Sequence, residues 1–130
     1  ALGENLDQAV RLGLKPEGGF AESPYAFTEA DLLRGKALYQ SFCAICHGAR
    51  GEGDGRAIPL GVPKPRSYHD PAVRDQPEGY FYFAATNGFG RMLPYKSRIP
   101  ERERWLIAHY IKRCLLSEAC PEEVVHAEVH

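Results

Sequence analysis

At 130 residues the chain has room for one hydrophobic core and not for two. Sixteen basic residues against seventeen acidic ones give a net charge of −1, so bulk charge points to neither a nucleic-acid nor a membrane-surface partner. No apolar run approaches the roughly 18 residues of a membrane span. The chain starts at Ala1 without an initiator Met or a signal peptide, as expected of a mature exported protein or of a soluble piece trimmed from an anchor.

Residues 5–14 predict a short helix, with Leu6, Ala9, Val10 and Gly13 at helical spacing. Pro16, Gly18, Gly19 and Pro24 then break regular structure. Residues 1–27 are expected to lie over the domain as an extension, the alternative being a disordered arm. A main domain is expected over 28–116. It opens on Thr28-Glu29-Ala30-Asp31, a helix start with a threonine cap and acids at the positive dipole end. Leu32, Gly35, Tyr39 and Phe42 share one face. A glycine inside a helix costs about 1 kcal/mol against alanine, so Gly35 predicts a close approach by another element.

This helix delivers Cys43-Ala44-Ile45-Cys46-His47, the C-x-x-C-H attachment pattern of c-type haem. Two thiols must reach the two vinyl groups of one porphyrin from a single turn, and the adjacent histidine then lies under the iron. A thioredoxin-like redox pair would need a preceding strand, whereas Leu38-Tyr39-Gln40-Ser41-Phe42 reads as the end of a helix. A zinc site would have to recruit Cys114 and Cys120, which are separated by five residues and have no histidine cluster beside them.

Residues 48–76, rich in glycine and proline, predict a long loop that wraps the cofactor's edge. A short helix follows over 79–86, with Phe81, Ala84 and Ala85 facing the ring and Asn87-Gly88 as its stop. Met92, the single methionine, stands in the flexible turn Gly88-Phe89-Gly90-Arg91-Met92-Leu93-Pro94. Beside a haem with one histidine it is the expected sixth ligand. Pro100 opens the last helix, in which Trp105, Ala108, Ile111 and Leu115 recur at helical spacing. The tail, 117–130, is acidic and expected to be loose. Cys114 and Cys120 are expected to bridge. In an unbroken helix they would be ~9 Å apart, beyond the ~7 Å a disulfide spans. The helix must therefore end near Leu116, and Ser117 and Pro121 allow a turn.

From about Leu33 to Leu115 these residues resemble class I cytochrome c, an all-α fold packed around one covalent haem c with its iron. In that family a glycine and two aromatics mark the crossing of the first and last helices, and Gly35, Tyr39 and Tyr110 match it. Pro59-Leu60 matches the family's proline turn, which implies that the Pro59 carbonyl orients His47. Three stretches are similar to the monohaem cytochrome c subunit of bacterial alternative complex III or a soluble relative. They are Thr86-Asn87-Gly88-Phe89-Gly90-Arg91-Met92, then Ile99-Pro100 with Arg104-Trp105-Leu106-Ile107-Ala108 after it, and Pro65-Arg66-Ser67-Tyr68-His69-Asp70. The extension, Leu93-Pro94 and the cysteine-bearing tail depart from that pattern.

The expected function is single-electron transfer between respiratory-chain redox proteins, not catalysis, by a monomer in the periplasm or at the outer face of the cytoplasmic membrane. Membrane association would come only through a partner complex or a removed anchor. Cys43, Cys46, His47 and Met92 bind the haem, and His47 and Met92 bind its iron. Arg66, Tyr68 and His69 are candidates for its propionates. His69, His109, His126 and His130 are weaker axial alternatives. The rival readings are a haem enzyme or gas-binding protein with an open sixth position, and a redox subunit permanently docked in a membrane complex. Residues 50–104 carry ten basic and seven acidic groups. Arg50, Lys64, Arg66, Arg91, Lys96 and Arg98 are therefore expected to form a mildly basic rim that steers an acidic partner.

Overall fold

The computed structural model describes Asp7 and residues 10–129. In chain order its elements are α1 (Glu29–Phe42), α2 (Ala44–His47), a 3₁₀ turn (Ile58–Leu60), α3 (Pro71–Arg74), α4 (Glu78–Asn87), α5 (Glu101–Tyr110), a π turn (Ile111–Leu115) and α6 (Glu122–His126). Among the described residues the only strand-like pairings are two isolated bridges, Leu14 with Phe20 and Phe89 with Met92, so the fold is all-α.

A reciprocal cap starts α1: the Asp31 N–H donates to Thr28 Oγ1 at 3.2 Å, and the Thr28 N–H to Asp31 Oδ2 at 2.8 Å. The inward stripe of α1 crosses α5. A Cβ at Gly35 would lie 3.1 Å from Tyr110 Cβ and 3.2 Å from the Leu106 carbonyl oxygen, which is the close approach its helical glycine predicts. Tyr39 and Tyr110 pack beside it with ring centroids 5.6 Å apart. On its other side α5 stacks Trp105 on Tyr82 of α4, at 4.1 Å and 11°.

Residues 10–21 lie across that second pair. Trp105 Nε1 donates to the Val10 carbonyl at 2.8 Å, the Tyr82 hydroxyl to the Arg11 carbonyl at 3.1 Å, and the Gly79 N–H to the Ala21 carbonyl at 2.7 Å. The helix expected over 5–14 is helical at Asp7 and at 10–12, and ends at Gly13 with φ +69°. Its remaining positions lie outside the described residues.

Two expectations need correction. The segment 48–76 is not structureless: it winds a 3₁₀ turn and a four-residue helix, α3, which Asp70 caps by accepting from the Ala72 N–H at 3.0 Å. The tail is docked, not loose. The π turn ends α5 as the Leu116 N–H bonds back to the Ile111 carbonyl at 3.0 Å, and Cys114 then bridges to Cys120 with Cα atoms 4.4 Å apart. That turn sets α6 against α1. Val124 is fully buried, and Lys36 Nζ donates to the carbonyls of Val124, Val125 and Ala127 at 2.7, 2.9 and 2.7 Å. All three ammonium donors are used on carbonyls at the C-terminal end of α6.

Candidate functional site

The turn 43–47 continues from α1 with a single-residue break, and a loop closes on it through the backbone. The N–H groups of Gly53, Gly55 and Ala57 donate to the carbonyls of His47, Cys46 and Ile45 at 2.8, 3.1 and 3.0 Å. Gly55 is required there, because any Cβ would run into the Ile45 carbonyl. The Tyr39 hydroxyl fastens the exit of the turn by donating to the Gly48 carbonyl at 2.7 Å.

Cys43 and Cys46 are free thiols, the first buried and the second half-buried. Burial pushes the His47 pKa down to about 4, so the ring is neutral near pH 7 and keeps a lone pair for a metal. Its Nδ1 is sealed from solvent without a partner, and the residue lines the cavity described below. The expected bond to the Pro59 carbonyl is not formed. Pro59 is exposed in the 3₁₀ turn, whose bonds are local: the Leu60 N–H reaches Ala57 and the Gly61 N–H reaches Ile58.

Two adjoining cavities, about 240 and 280 Å³, share Cys43, His47, Pro65, Phe89 and Met92 as walls. The expected haem-facing residues Phe81, Ala84 and Ala85 line the first, joined by Ile107 and Ile111 from α5 and the π turn. Tyr68 lies face-on against His47, with centroids 4.8 Å apart and planes at 17°, and meets the edge of Phe81 at 5.4 Å. Burial holds its hydroxyl pKa well above the ordinary tyrosine value. Arg66 lines the cavity with an exposed side chain paired to Asp70 at 3.3 Å.

The other histidines are elsewhere. His69 Nε2 sits 2.8 Å from the Arg50 carbonyl, His109 Nδ1 is 2.6 Å from Glu78, and His126 is exposed on α6. His130 lies outside the described residues. Among the described residues no cluster of three or more His, Cys, Asp or Glu could hold a metal, and the Cys114–Cys120 bridge removes the thiols a zinc site would need.

Two free thiols on one turn, a neutral imidazole beside them and a thioether in the same apolar cavity are the donor set of a covalent haem c. The residues present fit that group. Sequence reasoning missed three contributors: the Tyr68 stack on His47, Val73 in the cavity wall, and buried Arg104. Asp70-Pro71 was a readable start for the helix carrying Val73. A base in the first turn of α5, against the dipole, was a readable anomaly for Arg104.

A family described as "Cytochrome C oxidase, cbb3-type, subunit III" matches residues 30–111. Among solved structures, the KustC0563 c-type cytochrome is 21% identical with a TM-score of 0.50, over 60% of this chain and 93% of its own. The Kuenenia stuttgartiensis reducing HAO-like protein complex Kustc0457/Kustc0458 contains a chain 25% identical with a TM-score of 0.58, over 80% of this chain and 52% of that one. This chain thus spans about half the length of that relative. Cytochrome CL from the marine methylotrophic bacterium Methylophaga aminisulfidivorans MPT is 18% identical with a TM-score of 0.52, over 97% of this chain and 82% of its own. No curated protein sequence matches.

Proposed function

The chain belongs to that family of c-type cytochromes, with the class I cytochrome c fold and one covalent haem c, and on this premise we propose a specific electron carrier. It takes single electrons from a quinol-oxidising complex, alternative complex III or a relative, and passes them to a terminal oxidase or another carrier. It works as a monomer in the periplasm or at the outer face of the cytoplasmic membrane. Cys43 and Cys46 would hold the haem, and His47 and Met92 would bind its iron.

One observation carries the reading: His47 and Met92, 45 residues apart in the chain, line the same cavity. When bound, the haem supplies a one-electron ferrous/ferric couple. The protein's part is positional and electrostatic. Tyr68 fixes the plane of the neutral His47 ring. Met92 would supply an uncharged sulfur to the iron from the wall of the same cavity. Phe81, Ala84, Ala85, Ile107 and Ile111 exclude water and favour the less charged oxidation state. Arg66 stands at the wall as a cation for a carboxylate. Phe89 and Leu93, 68% and 73% exposed, border the cavities and offer an apolar contact to a redox partner.

Intact mass under denaturing conditions should show one haem added, and the Cys43→Ala, Cys46→Ala double variant none. The ferric spectrum should carry the weak far-red band of sulfur–iron ligation. An unmodified mass from properly matured protein would sink the proposal. Permanent docking is the second reading, supported by the structural likeness to a chain of a named complex. Co-purification with quinol oxidase activity would favour it over a diffusing shuttle.

A further inference from the structure

Arg104 is a buried cation, 7% exposed, and none of its hydrogen bonds goes to a carboxylate. Glu101, one turn before it, accepts from the Tyr25 hydroxyl at 3.0 Å instead. Arg104 Nη1 donates to the carbonyls of Lys96 at 3.1 Å and Ile99 at 2.7 Å. Its Nε donates to Thr86 Oγ1 at 3.0 Å, and its Nη2 to the Tyr82 hydroxyl at 3.2 Å. That hydroxyl in turn donates to the Arg11 carbonyl at 3.1 Å. A single side chain on α5 therefore fastens the distal half of the Met92 loop to α4 and to the N-terminal segment.

The loop has few bonds of its own. Phe89 and Met92 close a tight turn by exchanging backbone bonds at 3.2 and 2.8 Å. The Tyr95 N–H donates to the Ala85 carbonyl at 2.8 Å, and the N–H groups of Arg98 and Ile99 both reach the Tyr95 carbonyl at 2.9 Å. The Tyr95 hydroxyl reaches the Phe42 carbonyl at 3.3 Å. Among these tethers only Arg104 is both buried and charged. A guanidinium cannot shed its proton, so swinging the loop away would leave buried N–H donors of a full charge without acceptors.

We propose that Arg104 is the latch of the Met92 loop, a positioning residue that holds residues 88–99 closed over the cavity and so keeps the thioether in the sixth position. This rests on the reading of Met92 as ligand.

The test uses haem-loaded protein and compares wild type with Arg104→Met and Arg104→Lys. Three readouts are taken: cyanide association with the ferric form, the far-red band, and hydrogen exchange at the Arg98 and Ile99 amides. Arg104→Met should bind cyanide and exchange those amides roughly tenfold faster or more, with a weakened band. Arg104→Lys keeps the charge but loses the fork, and should fall between. Leu32→Ala, a cavity at the crossing of α1 and α5, controls for general loosening. It should lower the urea midpoint without hastening cyanide.

Wild-type cyanide and exchange rates in both Arg104 variants would overturn the latch, and so would an equal hastening in Leu32→Ala. If Arg104→Met fails to load haem, Arg104→Lys decides on the same readouts. A wild-type spectrum without the far-red band, together with cyanide binding unchanged in Met92→Ala, would instead overturn Met92 as ligand. Exchange at Arg98 and Ile99 would then still decide whether Arg104 holds the loop.

Discussion

On the His47 side of the cavity, three backbone hydrogen bonds zip the turn 43–47 to residues 53–57; on the Met92 side, the loop 88–99 is held largely by the side chains of Tyr95 and Arg104. Backbone bonds between packed turns leave no room for a side chain, so the first wall is rigid and intolerant of substitution. Side-chain tethers leave the loop backbone freer to adopt another path, so the second wall is the one expected to open first. With the ligation proposed above, His47 would be held fixed and Met92 would be the ligand open to exchange.

The largest effect is expected from changing the proposed ligand on the softer side. Met92→His should lower the midpoint potential by on the order of 0.2 V or more, within the roughly 0.8 V over which axial ligands help set haem potentials. Met92→Ala should open the site to carbon monoxide. A potential unchanged in Met92→His would place the sixth ligand elsewhere and dissolve the contrast between the two walls.

Glycine substitutions test the contrast directly. Gly55→Ala forces a methyl into the Ile45 carbonyl and should cost roughly 3 kcal/mol in urea unfolding. Gly90 in the Met92 turn has φ +56°, but a methyl there would meet nothing within 4 Å, so Gly90→Ala should cost only about 1 kcal/mol. Gly88, at the base of the same loop, is as crowded as Gly55, because a Cβ there would run into the Met92 carbonyl. The pair Gly55 and Gly90 therefore compares the His47 turn with the tip of the Met92 loop, and equal costs would mean that the tip is equally tight.

Much of this arrangement was legible along the chain. The attachment motif is local, Met92 is unique, and the inward face of α4 and the Gly35 crossing follow helical periodicity. What escaped is held by single polar contacts between distant segments. Lys36 meets carbonyls 88 to 91 residues away, and Arg104 meets the backbone of a turn with no period. No spacing rule marks a lysine that will be buried under a tail or a tyrosine that will stack on a histidine 21 residues before it. The Pro59 expectation came from likeness alone, and the local winding of its 3₁₀ turn left His47 Nδ1 without that partner.

The tail offers a third region against which both walls can be judged. Replacing Cys114 and Cys120 by serine opens a short loop, which should cost roughly 2 kcal/mol. Because neither residue lines the cavities, the potential and the cyanide rate should hold at wild-type values. Two alkylatable thiols in the denatured, unreduced holoprotein would show that the bridge is absent in solution. A shifted potential would show that the tail bears on one of the walls.

The smallest effect expected concerns approach of the partner, and it again separates the two sides. Of the six bases expected around the rim, Arg66 and Arg91 line the cavities, while Arg98 lies over Tyr95, itself a cavity wall, with its guanidinium carbon 4.6 Å from that ring's centroid. Lys64 donates to the Gly53 carbonyl at 3.0 Å, and Lys96 borders a separate cleft with Arg11 and Glu101. Arg66 is partly offset by Asp70. Arg91 and Arg98, neither of them paired to a carboxylate among the described residues, put positive charge on the Met92 side, next to exposed Phe89 and Leu93. Exposed Arg50 and Lys64, whose bond to a neutral carbonyl leaves its charge intact, add to it elsewhere on the rim. Exposed charges of this kind act mainly on the association rate and are screened over ~10 Å at 0.1 M salt. The second-order rate with an acidic redox partner should fall a few-fold between low and physiological ionic strength, and Arg91→Gln should flatten that slope more than Lys96→Gln. A rate indifferent to salt would refute steering and leave docking to the apolar pair, which Leu93→Ser would then be expected to weaken at every ionic strength.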